Sequence, residues 1–182
     1  MKQQRLPRRG DDNMSRLSRP IIPGATYFIT CVTFERKPLF ANAEYAQIVV
    51  DQWKHYEVAY QFRLDAYSVL PDHLHVVLNV GTQKTISEIL NSVNSYIATL
   101  INRTQGHKIK VKIWEGRPWD EVIRDEEMYW QKIAYTLLNP WRAGLVEKPL
   151  DPYPFSNMAE WLTGEGEEFL QDLFGRYGRR SE

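Results

Sequence analysis

Hydrophobic and polar positions change period several times along this chain, and the changes mark out its elements. Gly24-Ala-Thr-Tyr-Phe-Ile-Thr-Cys-Val-Thr-Phe34 is dense in β-branched and aromatic residues and predicts a first strand. From Asn42, a good N-cap, to about Tyr56 the period lengthens, with Tyr45, Ile48, Val49, Trp53 and Tyr56 on one helical stripe. Phe62–Leu70 predicts a second strand, Pro71-Asp72 a turn, and His73–Val80 a third strand paired with it as an antiparallel hairpin. Between about Thr85 and Asn102 the residues Ile86, Ile89, Leu90, Val93, Ile97, Leu100 and Ile101 predict an amphipathic helix. The other face of that helix is polar but nearly uncharged. Lys108–Trp114 alternates lysine with Ile109, Val111 and Ile113, which predicts a half-buried fourth strand.

This order, β-α-β-β-α-β, is that of an α+β ferredoxin-like sandwich, with both helices on one face of the sheet. A third helix should start at Asp125, which can cap it, with Glu126 and Glu127 at its positive end. It is expected to stop near Leu138, ahead of Asn139-Pro140. Further on, Gly144 and Pro149 punctuate the chain, Pro152-Tyr-Pro-Phe155 reads as extended, and a last helix is expected over about Glu165–Tyr177. The expected organisation is a flexible basic arm (1–23), one domain (24–156) and a helical tail (157–182), with no internal repeat.

Composition adds bounds. A chain of 182 residues, 43% hydrophobic and 13% aromatic, is long enough to bury a core. The single Cys31 excludes an intrachain disulfide and a cysteine-rich zinc site. With no apolar run of membrane-spanning length and no secretory signal pattern, the expectation is a cytoplasmic protein with no membrane partner. Lysine and arginine (23) balance aspartate and glutamate (23), so a strongly basic nucleic-acid-binding chain is excluded, although a neutral total can hide a basic face.

Candidate chemistry sits in His73-Leu74-His75. Strand side chains alternate faces, so both imidazoles point to the same side of the sheet, close enough to grip one divalent metal. Leu74, Val76, Leu78 and Val80 would face the two helices, leaving His73, His75, Val77 and Asn79 on the open side. On the third helix, Trp130, Ile133, Ala134, Leu137 and Leu138 form the core stripe, and Tyr135 lies roughly 130° from its centre. Asn139 follows one turn later. If this helix covers the open face, two imidazoles and one amide oxygen make a three-ligand site with room for substrate, suited to Mg²⁺ or Mn²⁺. The metal would polarise a phosphate oxygen, and the Tyr135 phenol would be the nucleophile. Each part alone has a plainer reading: the tyrosine as packing, Asn139 as a helix terminator.

Four ordered motifs between Gly24 and Phe155 bear on the choice. They are Gly24-Ala-Thr-Tyr-Phe28, Leu70-Pro-Asp-His-Leu-His75, the block Trp114 to Glu127, and Tyr135-Thr-Leu-Leu-Asn-Pro-Trp-Arg-Ala-Gly-Leu-Val146. Together they resemble the REP-associated tyrosine transposases of the single-tyrosine HUH endonuclease superfamily, and Pro152-Tyr-Pro-Phe-Ser156 resembles that family's tail. The resemblance implies His73, His75 and Asn139 as metal ligands and Tyr135 as the catalytic nucleophile. It implies a 5′-phosphotyrosine, a free 3′-hydroxyl, and single-stranded or hairpin DNA from repetitive extragenic palindromes as partner. It leaves the oligomeric state open, the REP-associated branch favouring a monomer and related mobile-element enzymes sharing sites across a dimer. Trp114, Trp119 or Trp141 would stack bases, and Arg117, Arg124 and the basic arm would contact phosphates. Asn94, Pro118 and Trp141 depart from the family pattern.

Two readings of other classes stand beside this one. A catalytically silent nucleic-acid-binding module would bind with salt dependence and form no adduct. A metal-dependent hydrolase of small substrates would use His73 and His75 alone. Tyr129 is the competing nucleophile, but its own i+4 neighbour is Ile133.

Overall fold

A computed structural model describes residues 24–104 and 110–178; the basic arm 1–23 lies outside them. Strands β1 (Thr26–Val32), β2 (Arg63–Leu70), β3 (His73–Asn79) and β4 (Trp119–Val122) form one sheet in the order β2-β3-β1-β4, antiparallel throughout. Helices α1 (Ala43–Tyr60) and α2 (Ile86–Thr104) cross between them, as the ferredoxin-like α+β arrangement requires. Three more helices follow: α3 (Glu126–Arg142), α4 (Met158–Gly164) and α5 (Glu167–Tyr177). No described helix is long and apolar enough to cross a membrane.

Alternation along the strands builds a separate core on each face. Tyr27, Ile29, Cys31, Leu74, Val76 and Leu78 pack with Val49, Trp53, Ile89, Val93 and Ile97 of α1 and α2. Phe28, Ala66 and Val77 turn the other way and pack under Ile133, Ala134 and Leu137 of α3. Met158, Leu170 and Leu173 complete that second layer, so α4 and α5 clamp α3 onto the sheet. The expected caps are present: the Asn42 side chain accepts from Glu44 N at 2.9 Å and Asp125 from Met128 N at 2.7 Å.

Two expectations need correction. The fourth strand is not Lys108–Trp114: residues 105–109 lie outside the described set, and 110–113 form no strand. The Asn102 side chain takes both backbone groups of Val111, accepting from its N at 2.6 Å and donating to its O at 3.0 Å. A residue so satisfied has nothing left for a ladder, and Val111 is largely exposed. Trp119–Val122 supplies the edge instead, with Thr30 opposite Trp119 and Tyr27 opposite Val122. The third helix also does not stop at Leu138. It runs through Pro140 to Arg142 with Leu137, Leu138 and Pro140 buried, and the packing of that turn offsets the one hydrogen bond to the Thr136 carbonyl that the proline cannot make. Gly144, at φ +71°, ends it: Leu145 N donates to Pro140 O and Gly144 N to Trp141 O, both at 2.9 Å.

Candidate active site

The strand hairpin delivers His73 and His75 to the face that α3 covers, and Tyr135 arrives above them. The His75 ring lies 4.9 Å from the His73 ring and 5.1 Å from the Tyr135 ring, centroid to centroid. Phe28 stacks on His75 at 5.3 Å and meets Tyr135 edge-on at 5.8 Å. Tyr135 keeps 39% of its surface exposed while His75 keeps 5%, so the phenol is accessible above a buried imidazole. His73, Tyr135 and Asn139 line one cleft of about 740 Å³, together with Gln131, Lys132 and Arg142.

Each histidine is gripped through Nδ1. The His73 Nδ1–H donates to the Asp72 carboxylate at 2.6 Å, and Arg36 donates to the other carboxylate oxygen at 3.1 Å. Burial opposes charge on Asp72, but His73 and Arg36 outweigh it and hold its carboxyl below the ordinary range. His75 Nδ1 shares a hydrogen bond of 2.9 Å with Thr30 Oγ1, its partner across the β1–β3 ladder. Burial, aided by His73 and Lys132, lowers the His75 pKa to about 3, so this imidazole is neutral at any ordinary pH. Its Nε2 is buried with no hydrogen-bond partner, and so is Nδ2 of Asn139.

This donor set fits a divalent cation. With the His73 Nδ1–H given to Asp72, its Nε2 is the lone-pair nitrogen, and the His75 Nε2 is the same whenever its Nδ1–H donates to Thr30, which is how orienting groups prepare imidazole ligands. The orphaned Nε2 of His75 is costly unless something binds there, and on Asn139 it is the amide oxygen, not the buried Nδ2, that could ligate. No group of three histidine, cysteine, aspartate or glutamate side chains suited to a metal occurs among the described residues, so a third protein donor would be of another kind, for which the Asn139 amide oxygen is the candidate in this cleft. Asn139 is 8% exposed and one helical turn from Tyr135, placed there because α3 continues through Pro140.

Other candidates are distributed unevenly. Trp119, 53% exposed, stands at the rim of the cleft face with its ring 5.9 Å from Phe28. Trp114 and Arg117 line a small cavity with Trp119 and Thr30. Trp114 itself is partly buried: its indole N–H donates to Asn94 O at 2.9 Å and its ring meets Phe40 at 5.6 Å. Arg124 is exposed beyond the other end of β4, next to Ile123, whose N–H bonds Thr26 O, and the structure does not bring it to the histidines. Tyr129 lies toward Arg63 and Asp65, half-buried, its phenol pushed up to about 12 by burial and Asp65. Thr30, Phe28, Asp72 and Arg142 belong to the site and were not singled out from sequence. Only Asp72, adjacent to His73, carried a local signal.

Comparisons with known proteins agree with this architecture. A REP-associated tyrosine transposase of Escherichia coli (strain K12) is 27% identical over 148 residues, spanning 79% of this chain and 82% of that protein. A Haemophilus influenzae protein assigned to that group is 27% identical over 155 residues, spanning 79% and 85%. A solved structure of a REP-associated tyrosine transposase bound to a REP hairpin shares the fold, with a TM-score of 0.69 and 24% identity, across 85% of this chain and 88% of that one. Residues 22–122, more than half of the chain and including both histidines, match the family of IS200-like transposases, and to that family the chain belongs.

Proposed function

We propose that this protein cleaves and rejoins single-stranded or hairpin DNA through Tyr135, with a divalent metal, Mg²⁺ or Mn²⁺, held by His73, His75 and Asn139. The observation that carries the reading is the accessible Tyr135 ring 5.1 Å from a neutral His75 whose Nε2 is buried and unpartnered. The related protein bound to a REP hairpin supports hairpin DNA, and so repetitive extragenic palindromes, as the substrate class.

When bound, the cation would act as a Lewis acid on a phosphate oxygen and orient the scissile bond. The chain's own residues do the rest. Asp72 and Thr30 fix the two imidazole rings, and Phe28 floors the cleft. The Tyr135 oxygen attacks phosphorus, the new O–P bond forming as the bond to the 3′ oxygen breaks. The phenolic proton passes to solvent, and the departing 3′ oxygen takes one up. The product is a 5′-phosphotyrosine with a free 3′-hydroxyl, and rejoining is the same step reversed. Trp119 and Arg117, which share a small cavity with Thr30, are the candidates to stack bases and contact phosphates of an incoming strand.

The test is incubation of the full chain with labelled hairpin oligonucleotides and Mn²⁺, followed by denaturing electrophoresis and mass analysis of the linked peptide. A Tyr135-linked adduct is expected, lost on Tyr135→Phe or chelation and retained in Tyr129→Phe. Salt-dependent binding with no adduct on any hairpin would instead establish the silent binding module.

A further inference from the structure

Arg142 stands seven residues after Tyr135, and seven residues of α-helix return to within about 20° of the starting direction. Tyr135, Asn139 and Arg142 therefore share one stripe of α3, and all three line the cleft that His73 borders. The guanidinium carbon lies 5.6 Å from the centre of the Tyr135 ring, at cation–π range. A basic residue in the last turn ordinarily serves its own helix's carbonyls. Arg142 reaches away instead, and one of its terminal nitrogens donates to the Gly178 carbonyl oxygen at the end of α5. That end is seated closely on α3. A Cβ at Gly178 would run into the Phe174 carbonyl oxygen and come to 2.8 Å from Leu138 Cδ1.

We propose that Arg142 is a positioning residue for Tyr135, held over the phenol ring by the C-terminal helix α5 and placing positive charge beside the phosphate that the tyrosine acquires. The inference rests on the nucleophile reading above. Phe28 and His75 bound the ring on its sheet side, and Arg142 bounds it from its own helix, so the exposed phenol is held between them. A nucleophile so held spends more time near the attack geometry, and a misplacement of about 1 Å can cost about 100-fold in rate. The planar guanidinium can lie over the ring while its N–H groups stay tied to α5, which an ammonium does less well. Arg176, which also borders the cleft, is paired with Asp172 at 2.9 Å and is the weaker candidate for this role.

The test compares Arg142→Met, Arg142→Lys and Gly178→Val with the wild type in the full chain. Adduct formation is followed in single turnover at saturating labelled hairpin, hairpin affinity by anisotropy in chelator, and folding by thermal melting. Arg142→Met is expected to slow adduct formation about 10- to 100-fold with hairpin affinity unchanged. Arg142→Lys should recover part of the loss, and a folded Gly178→Val, with its arginine intact, should slow the same step. A wild-type rate in Arg142→Met, or a loss of affinity as large as the loss of rate, overturns the inference while leaving Tyr135 as nucleophile. A wild type that forms no adduct overturns the nucleophile reading and this inference with it.

Discussion

His75 is made useful by three neighbours from two elements: Thr30 of β1 at its Nδ1, Phe28 of β1 beneath its ring and Tyr135 of α3 above it. His73 depends on one neighbour in sequence, Asp72. Removing an orienting carboxylate behind a metal-bound imidazole weakens metal binding about 10- to 100-fold. Asp72→Asn is therefore expected to lower Mn²⁺ affinity by that factor in calorimetric titration, with the fold intact by circular dichroism. That Asn139 joins the site depends on α3 continuing past Leu138, but the directions of the two histidines and Tyr135 were legible because strand and helix periods decide which way such residues point. Thr30 was not. Its partnership with His75 spans 45 positions and exists only through the β1–β3 register.

At the scale of elements, α3 decides whether the site exists, and its last turn decides whether Asn139 points into it. Gly144 closes that turn in a left-handed conformation at φ +71°. A Cβ there costs about 1–2 kcal/mol, so Gly144→Ala should lower stability by that amount in chemical denaturation. At the start of α2, Glu88 accepts from the Thr85 backbone N and hydroxyl, both at 2.9 Å. Those bonds, and then Lys84, lower its pKa from 4.5 to about 2. A folded-state pKa below the unfolded one means stabilisation that is fully present above pH 4.5 and lost as pH falls toward 2. Glu88→Ala should therefore reduce Tm at neutral pH, and the gap to wild type should close across that acid range. The misplaced fourth strand shows the limit of pattern reading. Alternation over Lys108–Trp114 is real, but Asn102 had already taken the backbone of Val111.

Across the described residues, the sheet is a wall between two cores, and the proposed site lies on the side that the first two helices leave open. Leu137 is wholly buried there with Ile133 and Leu170. Leu137→Ala is expected to cost about 2–5 kcal/mol by urea unfolding. It should also slow adduct formation at temperatures where the chain remains folded, because the same layer holds Tyr135 over His75. The balanced total charge conceals local bias. The groove along α2 is lined by Lys110, Lys112 and Arg117 with no carboxylate. If hairpin phosphates lie along it, replacing these three by glutamine should weaken hairpin binding and flatten its dependence on salt, read by anisotropy across a salt series.

What the sequence determined by itself was local: the first three strands and the course of the main helices, which side each face presents, and that His73 with His75, and Tyr135 with Asn139, form two pairs each aimed in one direction. Periodicity is a property of the backbone and needs no partner to be read. Only the tertiary structure decided that the two pairs face each other, that Trp119–Val122 takes the sheet edge, and that Arg142 is tied across to α5. Those outcomes depend on which distant groups satisfy one another's hydrogen bonds and buried surfaces, a competition that no single segment contains.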